Sequence, residues 1–263
     1  MRDRITITIR DDVLKQVDRS IDGLSIRSRS QAIEFLLTKL LSDFKLKNAL
    51  VLAGGKNSAK FLLDLKGKTL LERVIEQINS FHVSNFLVYT DFMKEKIKKE
   101  FEGRRLPYNL QFIESVKPSG TIEPLLKAKN YLNDTFLLAY GDTLCSLNLN
   151  EMLSFHRKNN SIATIALTTV SNPKEYGVAL LEGEKIRKFT QKPKKGTESF
   201  LVNAGFMLFE PEIFKHISRE MHSLESNLLP KLAEKNLLHG YSFQGMYLNI
   251  NTKEDYEKAK MIL

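Results

Sequence analysis

The chain has 263 residues and a formal charge of +9, with 40 Lys and Arg against 31 Asp and Glu, enough chain to bury roughly 70–75% of its unfolded surface in one large domain or a medium and a small one. The positive balance favours polyanionic partners, but the mixing of signs excludes a purely basic tail, and the single cysteine, Cys145, excludes a disulfide framework or a Cys-rich zinc site. No stretch approaches the ~18 apolar residues of a membrane span and no apolar leader opens the sequence, so the expectation is a soluble cytoplasmic protein without a membrane partner.

The first predicted element is a strand over 4–10, where Ile5, Ile7 and Ile9 alternate with Arg4, Thr6, Thr8 and Arg10. Asp11 and Asp12 can cap a helix carrying Val13, Leu14, Val17 and Ile21 at helical spacing, with Gly23 as its stop. A second helix begins near Ser28, with Ala32, Ile33, Leu36, Leu37, Leu40 and Leu41 as its apolar stripe. Residues 1–44 cannot cover that stripe alone, so a homodimer is expected, with room for higher-order assembly. The order strand, helix, helix, with Arg29-Ser30-Gln31-Ala32-Ile33 opening the second helix, resembles the ribbon-helix-helix DNA-binding family. That resemblance implies DNA as a partner. Arg4, Thr6, Thr8 and Arg10 would read base edges, and Ser28, Arg29 and Ser30 would hold a phosphate. Without DNA, the same unit serves as a dimerisation device.

After the short junction Lys45-Leu46-Lys47, residues 48–263 read as a second domain. Apolar runs at 49–53, 85–89, 112–114 and 136–139 alternate with helical patterns at 70–81, 93–100 and 121–131. Such alternation argues for βαβ units and a largely parallel sheet with its ligand cleft at the carboxyl ends of the strands. Leu52-Ala53-Gly54-Gly55, Ala59-Lys60, Gly67-Lys68, Gly120-Thr121, Gly141-Asp142, Tyr176-Gly177-Val178, Lys192-Pro193, Asn203-Ala204-Gly205 and 247–252 follow in a fixed order. Together they resemble the sugar-1-phosphate nucleotidyltransferases, nearest to the glucose-, mannose- and heptose-1-phosphate branches.

That resemblance implies an α/β, Rossmann-like fold of glycosyltransferase-A type, with a mixed, mostly parallel sheet flanked by helices. It implies that Ala53, Gly54, Gly55, Glu114, Gly120 and Thr121 surround a nucleotide, that Gly177, Lys192 and Asn203 hold a sugar phosphate, and that Asp142 holds Mg²⁺. Lys60 would face the nucleotide phosphates and act in catalysis if the site is active. The sequence departs from the family in three places. Only Lys56, Asn57 and Ser58 separate Gly55 from Ala59, so the arginine that steadies pyrophosphate is missing. Asn249 stands where a second metal carboxylate is expected, which weakens the Mg²⁺ site, and Gln191 replaces a glutamate. The cluster Lys185, Arg187, Lys188, Lys192, Lys194 and Lys195 reads as an extension of the anion site or a solvated face, and the five histidines show no metal-ligand spacing.

Two functions compete on this reading. The first is a dimeric DNA-binding transcriptional regulator whose altered domain senses a nucleotide, sugar phosphate or nucleotide-sugar. The alternative is an active Mg²⁺-dependent sugar-1-phosphate nucleotidyltransferase that uses its N-terminal module to dimerise.

Overall fold

The computed structural model describes residues 5–43, 45–115, 120–194 and 196–263, with the side chains of 38–43 left out of that description. Arg4, Lys195 and the side chains of Leu40 and Leu41 therefore lie outside the described residues. The chain divides into two compact units, Met1–Lys45 and Leu46–Leu263.

In the first unit, α1 spans Asp11–Arg19 and α2 spans Arg29–Asp43. Val17 and Ala32 are its buried apolar residues among those described. Residues 5–10 form no strand, contrary to the alternating pattern. An extended segment leaves its backbone N–H and C=O groups unpaired unless another edge meets it, and none does so among the described residues of this single chain. Ile5 and Ile7 consequently stand 76% and 53% exposed. Asp11 and Asp12 occupy the first turn of α1 rather than capping it, where their charge suits the helix dipole. The helix ends before Gly23. Asp22 Oδ1 accepts the N–H groups of Leu24, Ser25 and Ile26, each at 2.8 Å, and fixes the turn instead.

The residues expected on DNA are engaged or exposed. Thr6, Thr8 and Ser30 are exposed, Arg10 pairs with Asp12 at 3.2 Å, and the Ser28 hydroxyl accepts the Gln31 N–H at 3.3 Å. The Arg29 guanidinium donates to both oxygens of Asp18 at 2.7 and 2.9 Å.

The second unit begins with β1, Asn48–Ala53, followed by α3 (Leu70–Asn79), β2 (Asn85–Thr90), α4 (Lys94–Phe101), β3 (Asn109–Glu114), α5 (Ile122–Ala128) and β4 (Phe136–Tyr140). Then come β5 (Thr143–Cys145), α6 (Leu149–Lys158), β6 (Ala163–Thr169), β7 (Gly177–Glu182), β8 (Lys185–Gln191) and β9 (Leu201–Phe209). The unit closes with α7 (Leu229–Glu234), β10 (Leu238–Ser242), β11 (Tyr247–Asn249) and α8 (Lys253–Ile262). The predicted strands and helices up to β4 fall where the apolar runs place them. A 3-10 turn over Lys129–Tyr131 replaces the end of the predicted fifth helix.

Nine strands form one mixed sheet in the order β3-β2-β1-β4-β9-β6-β10-β8-β7. β1 runs parallel to β2 and β4, and β2 parallel to β3. β9 is antiparallel to both β4 and β6. Alternate residues of β1 enter opposite cores: Ala49, Val51 and Ala53 pack with α3, and Leu50 and Leu52 pack with α5 and α7. A sheet covered on both faces demands such a continuous apolar run. The carboxyl ends of β1, β2, β3 and β4 lie side by side, and the β11–β5 ribbon pairs Asn249 with Thr143 just beyond β4.

Candidate active site

Backbone geometry at the end of β1 requires glycine. A Cβ at Gly54 would lie 2.7 Å from Asp91 Oδ2 and 2.8 Å from Tyr89 Cε1, and Gly55 has φ +105°. Gly120 is equally constrained: at φ +102°, a Cβ would come within 2.2 Å of the His222 carbonyl oxygen. That carbonyl accepts the Ile122 N–H at 3.1 Å, while Thr121 Oγ1 accepts the Leu224 N–H at 2.8 Å. Residues 222–225 thus strap down the start of α5.

Five side chains close a ring at the end of β4. Lys60 Nζ, from the 3-10 turn Ser58–Leu62, makes an ion pair with Asp142 Oδ2 and donates to Asn251 Oδ1 at 2.6 Å. Asn251 Nδ2 donates to Asn249 Oδ1. Asn249 Nδ2 donates to Thr143 Oγ1 at 2.9 Å, and the Thr143 hydroxyl donates to Asp142 Oδ1 at 3.1 Å. Lys60 and Asp142 keep 17% and 15% of their side-chain surface, enough for a ligand to reach a largely desolvated pair.

Two cavities meet at this ring. One, of about 200 Å³, is lined by Gly54, Gly55, Lys60, Asp91, Gly120 and Thr121 among others. The other, of about 660 Å³, is lined by Gly177, Lys192, Asn203, Glu225, Asn249 and Asn251 among others. They share Tyr140 and Asp142. The residues expected at a nucleotide and those expected at a sugar phosphate therefore segregate into adjoining cavities, with Asp142 at the junction. Ala53 is fully buried behind the first cavity. Glu114 lines neither: Lys98 and Lys94 grip its carboxylate, the latter at 3.1 Å, and hold it below the usual carboxylate range. Lys192 lines the larger cavity but pairs with Glu175 at 3.4 Å. Gln191 Oε1 is buried there without a hydrogen-bond partner among the described residues.

Several groups of the site carry no sequence motif. The Glu225 carboxylate accepts the hydroxyls of Tyr140, Thr121 (2.9 Å) and Ser223 (2.8 Å), and its burial raises its pKa. Asp91 and Asn251 likewise face the cavities. Among the described residues, no group of three or more His, Cys, Asp or Glu side chains could hold a metal by itself. Asp142 and the amide oxygens of Asn249 and Asn251 are ligand types that Mg²⁺ takes, but here Lys60 Nζ holds Asp142 Oδ2 and Asn251 Oδ1, and Asn251 Nδ2 holds Asn249 Oδ1. No helix among the described residues is long and apolar enough to cross a membrane.

Residues 49–263 match the family model described as Nucleotidyl transferase. A Danio rerio relative, "Mannose-1-phosphate guanylyltransferase catalytic subunit beta", is 27% identical over 224 residues, covering 79% of this chain and 62% of that protein. The protein of the same name from Drosophila melanogaster is 26% identical over 223 residues, covering 79% and 60%. The chain thus spans about 60–62% of the length of these relatives. Among solved structures, HddC from Yersinia pseudotuberculosis superposes with a TM-score of 0.72 at 21% identity, covering 82% of this chain and 99% of that one. A UDP-glucose pyrophosphorylase complexed with UDP-glucose superposes at 0.71 and 18%, covering 83% and 98%. These likenesses establish the Rossmann-like nucleotidyltransferase fold. They also correct one expectation: relatives bearing the names of enzymes overturn the reading of a transcriptional regulator whose domain only senses its ligand.

Proposed function

This chain belongs to the nucleotidyl transferase family over residues 49–263, and on that premise we propose that it joins a sugar 1-phosphate to a nucleoside triphosphate. A phosphate oxygen of the sugar 1-phosphate attacks the α-phosphorus. A new P–O bond forms as the bond to the β-phosphate bridge breaks, and pyrophosphate leaves with the electron pair. The observation that carries this reading is the Lys60–Asp142 pair at the junction of the two cavities. Negative charge crowds at that point in the reaction, where Lys60 supplies a cation, and Lys56 or Lys60 is the candidate to stand in for the missing arginine. Gly54, Gly55, Gly120 and Thr121 take the nucleotide side, and Gly177, Lys192 and Asn203 the sugar side. When bound, Mg²⁺ would be held by Asp142 with the amide oxygens of Asn249 and Asn251 and would offset phosphate charge. The relatives' names make mannose 1-phosphate and GTP the first pair to offer.

Residues 1–44 form a separate unit on this reading, and their exposed isoleucines serve self-association: Ile5 and Ile7 gain burial, and the backbone of 5–10 gains a partner, when two copies pair.

The test is pyrophosphate release with a panel of nucleoside triphosphates and sugar 1-phosphates, with Mg²⁺ present. Release is expected from the native protein and should fall on the order of 10³-fold in Asp142→Ala. No release with any pair, or release that Asp142→Ala leaves unchanged, would reject the proposal.

A further inference from the structure

Asp91 follows the carboxyl end of β2 and is 5% exposed. It nevertheless lines the smaller cavity together with Leu52, Tyr89 and Pro124. Its oxygens are held only by backbone: Oδ2 accepts the Gly55 N–H at 2.6 Å and Oδ1 accepts the Phe92 N–H at 2.5 Å. No cation pairs with it among the described residues. Asp142, the other aspartate of this cavity, is by contrast neutralised by Lys60. Each carboxylate oxygen can accept two hydrogen bonds, so Asp91 retains capacity for two more.

A buried, uncompensated negative charge is costly unless donors surround it. Phosphates would repel it, and they have their cation at Lys60. The part of a nucleotide that fits beside Asp91 is one that brings hydrogen-bond donors, and the flanking Leu52, Tyr89 and Pro124 offer apolar surface to a flat ring. Guanine alone of the common bases presents two adjacent donors, N1–H and the 2-amino group, on its pairing edge. Adenine and cytosine place an acceptor next to their amino group. Uracil and thymine flank one N–H with two carbonyl oxygens, which repel a carboxylate.

We infer that Asp91 is the residue that selects the base, and that it selects guanine by accepting N1–H and the 2-amino group on its carboxylate. The inference deepens the nucleotidyltransferase reading and rests on it for the reaction, while the binding preference can be measured without turnover. Sites built to hydrogen-bond a substrate group reject analogues that lack it, because the site's own polar atoms are then left unpaired.

The experiment is calorimetric titration of the full-length protein with GTP, ITP and XTP. ITP lacks the 2-amino group, and XTP carries a carbonyl in its place. The unmodified protein should bind GTP about tenfold or more tighter than ITP, with XTP weakest. Asp91→Asn should lose the preference for GTP over ITP and shift the XTP-to-GTP affinity ratio about tenfold toward XTP, since its amide N–H can meet the new carbonyl; the ratio is read because either Gly55 or Phe92 N–H loses its acceptor in the variant. A GTP-to-ITP ratio near one in the unmodified protein overturns the inference and requires no variant to fold. So does an Asp91→Asn protein that keeps the preference, or one that weakens for all three nucleotides equally, which would make Asp91 only an anchor for the glycine turn. Intact preference without pyrophosphate release would sink the catalytic reading and leave the base assignment standing. Failure to bind any nucleotide would sink both.

Discussion

Asn249 occupies a position where a second metal carboxylate is expected, yet its chemistry is demanded by its neighbours. It accepts from Asn251 Nδ2 and donates to Thr143 Oγ1. An ionised aspartate there could accept but not donate, and it would set a second negative charge beside Asp142. The Thr143 hydroxyl, which serves Asp142 in the same ring, would then lose its donor. Asn249→Asp should therefore lower stability by about 1–2 kcal/mol at neutral pH. The loss should shrink as the pH falls and the new carboxyl protonates, and added Mg²⁺ should partly restore it. Melting temperatures across pH, with and without Mg²⁺, check each part. Lys60 can be probed in the same ring. Lys60→Met keeps length and removes the cation, so catalysis should fall on the order of 10³-fold while the fold persists. Pyrophosphate release and a melting curve on the same sample decide it.

Among the secondary elements, the strap at 222–225 and the start of α5 show how a buried acid can be useful despite its cost. Glu225 is raised in pKa by burial, so the folded protein holds its proton to a higher pH than the unfolded chain does. Between the unfolded value and the raised folded value, the folded state binds more protons, and stability therefore falls as the pH rises through that window. Glu225→Gln should flatten this slope, which thermal denaturation at a series of pH values above 4.5 would reveal. The parallel strands and their helices were legible in the sequence because buried strands need unbroken apolar runs and amphipathic helices need spaced ones. Gly54 and Gly120 sit where close approach leaves no room for a side chain, and Gly55 where a positive φ favours glycine, so their residue type was legible. Lys60, Thr121, Asp142, Gly177, Lys192 and Asn203 were named from the order of short motifs, but the partners that hold them were hidden by separation along the chain. Thr121 meets Glu225 across 104 positions, and Lys60 meets Asn251 across 191. Neither pair has a local pattern to betray it. Asp91 is a single residue after a strand, and nothing in its neighbours announces a cavity. Over 5–10 the alternation specifies a face, but pairing needs a second edge, and in the single chain those residues remain without a strand partner.

For the whole molecule, the first consequence concerns association. If two copies pair through residues 5–10, a charge at Ile7 must be buried or the pair must part. Ile7→Glu should then shift sedimentation from dimer to monomer while leaving the circular dichroism of the α/β unit unchanged. A native protein that sediments as a monomer at all concentrations would defeat the dimer. The second consequence comes from the seam between the cavities. The smaller cavity draws on β1, β2 and the start of α5, the larger on β7–β9 and the ribbon, and only Tyr140 and Asp142 belong to both. The Lys60–Asn251 and Thr121–Glu225 bonds also cross the seam, but changes at Asp91, held by the Gly55 and Phe92 N–H groups, and at Asn203, which accepts the Gly205 N–H, share no partner. Their effects on affinity should add to within about 0.5 kcal/mol, so that a double variant such as Asp91→Asn with Asn203→Ala equals the sum of its parts. On the proposed reaction, residues such as Asn203 that touch neither Lys60, Thr121 nor Asp142 can alter sugar preference without disturbing the nucleotide side, and to that extent the two preferences are free to evolve as separate traits.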